Sequence, residues 1–426
     1  MDRLVSFSQL LQRPLVGRGG EVVGRLSDVI IRLRGRDYPL VTGLVVRIGR
    51  REVFLPIEQV ASFDGGSTRL TSEVVDLRPF ERREGEVLLR ADVLGHRVID
   101  VVGVELVRAH DLELRERPDG WVVDRLDTRP HRPRWFWPTR TEPHWRDWKS
   151  FEPLIGHAQS ARVRGPFGRL GRLKAADLAD LLEDANRTES EEILETVHSD
   201  PELEADVFEE LEPDSQTRLL AEKDDAEIAA VLARMRADDA ADAINDLPQR
   251  RRQPVLDALP AGQRAKVLTL MGFNPSSAGG LMALDTVTAS PTATVAQALE
   301  LVRAARTLQP EAITSVYVVE QARATARLIG TATLVALLQS DPGARLEQVM
   351  ATEPVRVLPD TDVEDVTLLM ADYNLLTVPV VDEQDRILGV ITVDDILETV
   401  LPEDWRRREP APHPARRSDD STAPDA

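Results

Sequence analysis

Near the end of the chain, Gly389-Val-Ile-Thr392-Val-Asp-Asp395 sets a hydroxyl and a carboxylate close together where a β-branched run gives way to a helical pattern. A Thr that ends a strand and an Asp in the first helical turn lie beside one helix N-terminus. There, backbone N–H groups favour phosphate and the carboxylate can accept ribose hydroxyls. The same residues also suit a plain helix cap with Thr392 at its head. A related stretch, Leu328-Ile-Gly-Thr-Ala-Thr333, keeps the hydroxyl but has Ala336 where the carboxylate is expected, so one such site is expected rather than two. Covalent and acid–base chemistry is poorly supplied. The chain has no cysteine and seven scattered histidines, which excludes disulfides, thiolate zinc sites and thiol catalysis. No nucleophile, base or metal-water constellation stands at catalytic spacing, and no enzyme is expected.

The elements that position these residues form a tandem repeat. One copy runs Thr288 to Pro291, Val295 to Leu308, Ser315 to Glu320 and Leu328 to Thr333, then a short helix to Gln339. The other runs Arg356 to Pro359, Val363 to Tyr373, Thr377 to Asp382 and Ile387 to Thr392, then a helix to Val400. Each reads strand, helix, strand, strand, helix, and duplication of this size implies two similar units about a pseudo-twofold axis. The repeat, with its glycine, hydroxyl, two-residue gap and aspartate, resembles a CBS-domain pair over residues 283–401. The resemblance implies an adenine-nucleotide or metal site between the halves, with Thr392 and Asp395 as nucleotide ligands. It also implies a homodimer through the CBS pairs, for which the helices Val363 to Tyr373 and Val393 to Val400 carry more apolar residues than one packing surface needs.

Before the repeat, apolar pairs begin short amphipathic units at Leu181, Ile193, Val207, Leu219, Val231, Ala243, Val255 and Val267, spaced by 12 residues with one step of 14. So short and regular a repeat suggests an α-solenoid over residues 174–276, each unit burying its pair against its neighbours. It closes on Ser276-Ser-Ala-Gly-Gly280-Leu-Met282, whose glycines are expected to hinge into the repeat. Residues 175–260 hold 8 basic and 25 acidic side chains, a field that attracts cations and repels nucleic acid.

Residues 1–75 are rich in alternating β-branched runs and Gly turns, as in a small antiparallel barrel. Leu15-Val-Gly17, Gly20-Glu-Val-Val-Gly24-Arg-Leu-Ser-Asp28 and Pro56 resemble a PRC-barrel. A degenerate second copy follows over residues 85–160, giving two barrels side by side as docking modules. Four tryptophans, Trp135, Trp137, Trp145 and Trp148, sit among Pro and Arg. They suit either ring stacking on single-stranded nucleic acid or packing on the second barrel, with Asp147 to Phe151 returning as a strand; packing is the reading adopted.

In that order, the acidic helices, Ala278-Gly-Gly-Leu-Met282 and the CBS pair resemble the cytosolic half of MgtE magnesium transporters, over residues 174 to 401. The resemblance implies Mg²⁺ ions shared between helical domain and CBS pair, with Asp238, Asp242, Asp341 and Asp362 at the matching acidic positions. Asp238 and Asp242 stand one helical turn apart, and hard oxygen ligands suit Mg²⁺, which keeps several waters. These four also suit ordinary solvated acids or, for Asp362, a helix N-cap. The transporter's membrane half is expected just after Val400. Instead the sequence enters a Pro, Ser and Asp-rich stretch, 402–426, expected to be disordered, and no run of about 18 apolar residues occurs.

The expected protein is therefore multidomain α+β, with small antiparallel β-barrels, a central helical superhelix and a C-terminal α/β CBS pair. Its expected role is a cytoplasmic, non-enzymatic Mg²⁺ sensor, with adenine nucleotide as a further ligand and a barrel-docked protein partner, such as a membrane transporter. Nucleic acid is not an expected partner of that reading. The alternatives are an RNA- or ribosome-associated assembly factor and an accessory gating subunit of a separate magnesium transporter.

Overall fold

A computed structural model of the chain describes residues 4–64, 67–71, 79–129, 142–154, 169–306, 308, 310, 312–322 and 325–401. It forms two compact units, Met1–Leu211 and Glu212–Ala426. Trp135, Trp137 and residues 402–426 lie outside the described residues. No described helix is long and apolar enough to cross a membrane.

In the first unit, Val22–Arg34, Asp37–Ile48 and Arg51–Pro56 form a meander, with Gly35 and Gly49 supplying the positive φ its tight turns need. A second hairpin, Asp111–Arg117 and Gly120–Asp127, meets it where Val122 stands opposite Leu40. The two expected barrels do not stand apart. Leu4–Ser6 from the first half pairs with Asp111–Arg117 of the second, while Glu86–Leu88 from the second pairs with Val22–Arg34 of the first. An 11-stranded barrel-like sheet and a three-stranded one, of Glu105–Arg108, Arg97–Asp100 and Phe151–Pro153, thus share a single core running from Val5 to Phe151.

Each exchanged arm is held by a buried aspartate. Asp28 accepts from the backbone N–H groups of Arg90 and Ala91, at 2.7 and 3.1 Å. Asp111 does the same for the other arm, accepting from Ser8 N, Ser6 Oγ and Ser8 Oγ at 2.9, 2.6 and 2.7 Å. The Trp-rich return also joins the core. Trp145–Asp147 pairs with Gly120–Asp127, Phe151–Pro153 pairs with Arg97–Asp100, and Trp148 between them is buried. Packing, not stacking on a ligand, thus occupies this indole. Three helices, Ala175–Asp184, Arg187–Val197 and Pro201–Glu209, complete the unit, and Arg97 ties the sheet to them through Glu189 at 3.2 Å and the Asp184 carbonyl at 3.1 Å.

The second unit begins with helices Pro213–Ala221, Asp225–Leu232, Ala237–Asp246, Gln249–Ala258 and Ala261–Leu270. The connection that follows is pinned rather than free. Ala278 N donates to Thr361 O and Gly279 N to Pro359 O, both at 2.8 Å. A Cβ on Gly279 would meet the Phe273 ring at 2.7 Å, and one on Gly280 would meet the Asn274 carbonyl at 2.3 Å. The expected hinge glycines are thus there for close packing, and neither has a positive φ.

Both copies of the repeat keep the expected element order, except that the Val295 helix ends at Ala304 rather than Leu308 and Arg356–Pro359 contributes only the Val357 bridge to Val380. Ser315–Ala322 and Thr325–Thr333 pair antiparallel in one, Thr377–Val381 and Ile387–Thr392 in the other. The lead-in to each copy lies on its partner. Ala351–Thr352 pairs beside Gly330, and Ala283 bridges Val390 next to Gly389. A Cβ on Gly330 would strike Met350 Sδ at 2.5 Å, and one on Gly389 would strike the Ala283 carbonyl at 2.6 Å. Tyr317 joins the copies by a buried 3.1 Å hydrogen bond with Thr377.

The exchanged arms give a direct test. Asp28→Ala strands several buried N–H donors, so it should cost about 2–4 kcal/mol of stability in urea unfolding. Asp111→Ala should cost a similar amount, and substitution of an exposed residue such as Glu58 should cost little.

Candidate functional site

Thr392 ends its strand and caps the Val393–Val400 helix. Its Oγ1 accepts from Asp395 N at 3.3 Å, while Asp395 Oδ2 accepts from Thr392 N and Oγ1, both at 2.9 Å. The capping reading therefore holds, but it uses only one carboxylate oxygen. The other, Oδ1, accepts from Arg236 Nη1 at 3.1 Å.

Arg236 stands at the head of the Ala237–Asp246 helix, so its side chain leaves the solenoid at a helix start. Its three nitrogens reach three acids: Nε to Asp239 at 2.5 Å, Nη1 to Asp395, and Nη2 to Glu398 at 3.3 Å. Asp238 lies in the same field, beside Asp239, Arg236 and Asp395. Burial is deep, with Asp395 6% and Asp238 9% exposed.

The electrostatics follow. Burial alone would weaken the Arg236 charge, but Asp239, Asp238, Glu398 and Asp395 together raise its proton affinity. Burial and then Asp239 push the Asp238 carboxyl well above its ordinary range, against the pull of Arg236. Asp395 is also raised by burial, with the Thr392 N–H and Arg236 holding it down. Asp242 is pushed up to about 6, first by burial and then by Asp239 and Asp246.

Of the residues expected from the sequence, the structure brings Asp238, Thr392 and Asp395 into one corner, with Asp242 a turn further along the helix. It does not bring Asp341 or Asp362 there. Asp341 accepts from Gly343 N at 2.7 Å in its own turn. Asp362 caps the Val363–Tyr373 helix through Glu364 N at 3.0 Å and bridges Ser277. Among the described residues, no three His, Asp or Glu side chains converge as a ready metal cage. Arg236, Asp239 and Glu398 were not expected. The available signal was that Arg234 and Arg236 are the only cations between Lys223 and Arg250, so either had carboxylates to choose from.

Residues 173–276 match the MgtE intracellular N domain and residues 346–402 match the CBS domain. The chain is similar to the magnesium transporter MgtE of Thermus thermophilus, 37% identical over 168 residues, or 38% of this chain and 36% of that protein. It is also similar to MgtE of Bacillus subtilis, 26% identical over 198 residues, or 46% and 43% of the two chains. A solved structure of the cytosolic domain of the Mg²⁺ channel MgtE in complex with ATP matches at 30% identity and a TM-score of 0.51, covering 57% of this chain and 94% of that one. The helical segment is thus an MgtE-type N domain and the C-terminal module a CBS pair, while the chain spans less than half the length of these MgtE proteins.

Asp242 carries a pH signature. Its folded value of about 6 exceeds the ordinary 3.8, so the folded state holds this proton more tightly. That advantage is lost as pH rises through about 6, where the ionised carboxylate opposes folding. Asp242→Asn should therefore raise stability by about 1–2 kcal/mol at pH 7.5, after discounting for solvent screening, and by little at pH 4. Melting curves at the two pH values check this.

Proposed function

We propose that the chain is a non-enzymatic regulatory sensor in which Mg²⁺ acts on the acidic face of the N domain and an adenine nucleotide takes the Thr392–Asp395 corner. The observation that carries this reading is the corner itself. There, four carboxylates, of Asp238, Asp239, Asp395 and Glu398, gather around one guanidinium, with Asp238 and Asp395 buried and Glu398 open to solvent. A second cation would relieve that imbalance. Mg²⁺ suits it because it keeps most of its waters and needs only one or two direct carboxylates, so no full cage is required. Asp238 and Asp242 are the ligands we assign on the helix. Asp341 and Asp362, each of which accepts from a local backbone N–H through Oδ1, are the ligands we assign on the CBS side. The names of the similar proteins support the metal, and the ATP complex among the similar structures supports the nucleotide. Control of magnesium transport is the process we assign, with the β-module as the docking element for a protein partner.

Homodimerisation belongs to this proposal. The second CBS copy exposes Leu368, Tyr373, Leu376, Leu397 and Val400, and the first exposes Leu301, Val335 and Leu338. Apolar helix faces that recur on both copies suit an isologous contact.

Two outcomes are expected. Millimolar Mg²⁺ should raise the melting temperature beyond what NaCl of equal ionic strength achieves, and Asp238→Asn with Asp242→Asn should remove the difference; equal effects of the two salts would make screening the cause. In light scattering, the full chain should have a dimer mass, and Leu368→Glu with Val400→Glu should reduce it to a monomer.

A further inference from the structure

Arg236 belongs to the N domain, yet it occupies the carboxylate oxygen of Asp395 that Thr392 leaves open. The geometry points to Arg236 as a tethered competitor: a ligand that needs the Asp395 carboxylate can enter only when the guanidinium leaves, so ligand binding and seating of the N domain on the last CBS helix exclude one another. This inference rests on the reading of the Thr392–Asp395 corner as a nucleoside site, and adds that the site is closed from within.

Three observations carry it. First, both oxygens of Asp395 are engaged, Oδ2 by Thr392 and Oδ1 by Arg236, and the residue is 6% exposed. A sugar diol would need the place the guanidinium holds. Second, Arg236 also grips Glu398, about one helical turn beyond Asp395, so one side chain bridges neighbouring turns of the Val393–Val400 helix. Withdrawing it frees that whole face. Third, Arg236 heads the Ala237–Asp246 helix and is tied there to Asp239. It cannot swing away while the helix start stays in place without losing both CBS contacts. The guanidinium brings a full positive charge to the carboxylate, which a sugar hydroxyl does not, so the resting state is the closed one.

The opposite role, Arg236 as a phosphate clamp, is disfavoured because Asp238, Asp239 and Glu398 crowd the same space with negative charge. The experiment separates the two. Adenosine, which has the diol without phosphate, and ATP are titrated calorimetrically against the full-length wild type, Arg236→Gln and Glu398→Gln. Opening the latch should tighten both ligands by about tenfold in Arg236→Gln and about threefold in Glu398→Gln, which keeps Arg236 and Asp395 but loosens the grip. Glu398→Gln carries the test if Arg236→Gln does not fold. Adenosine should also speed amide exchange in residues 237–246 of the wild type. Unchanged or weaker binding in the variants, against measurable wild-type binding, overturns the latch and leaves the nucleoside site standing. No binding of either ligand to any of the three proteins overturns the site and the latch together.

Discussion

The second unit depends on one guanidinium meeting more carboxylates than it can neutralise. Arg236 links the start of an N-domain helix to neighbouring turns of the last CBS helix. A buried ion pair adds little net stability, because desolvation consumes most of the attraction. Its effect is to fix register: a planar fork with three occupied nitrogens accepts one arrangement of Asp239, Asp395 and Glu398 and resists others. Losing the arginine would leave the buried acids Asp238 and Asp395 without their cation, so it holds the two elements together.

What holds the corner in place is a crossing between the two CBS copies, a construction that the β-module uses separately for its own halves. In the CBS pair, the Met282-Ala283 and Met350-Ala351 lead-ins each cross to the other copy and lie over a glycine, Gly389 or Gly330, that has no room for a side chain. In the β-module, each half sends its first strand to the other half and receives a turn capped by Asp28 or Asp111. Exchange of this kind makes two similar halves one cooperative body, since neither half can satisfy its own backbone groups alone. Gly389 is three residues from Thr392, so the crossing also sets where the cap and its carboxylate fall.

Much of this was legible where burial follows a period. The apolar pairs stepping through the N domain are nearly all buried, from Leu181 and Leu182 to Val255 and Leu256; Leu268, at the end of the series, is exposed because no further unit covers it. The second CBS copy was legible for the same reason, with Val363–Tyr373 and Ile387–Thr392 matching their expected bounds. The arm exchange was not, because alternation specifies which face of a strand is buried and not which strand lies beside it. Arg236 was missed because an arginine among acids reads as a solvated face. Only the fold brings residue 395 within reach of residue 236.

The two CBS copies then differ at one decisive position. Thr333 and Thr392 both cap the helix that follows, Thr333 through Ala336 N at 3.2 Å. The cap is therefore the shared structural requirement, and any Ser or Thr would meet it. The carboxylate is present only in the second copy, because Ala336 offers nothing for a guanidinium or a diol. A pseudo-symmetric pair with a single charged seat can be gripped on one side only. That asymmetry gives Arg236 a carboxylate to grip in the second copy alone, and it puts that contact and the nucleotide corner proposed above on the same residue.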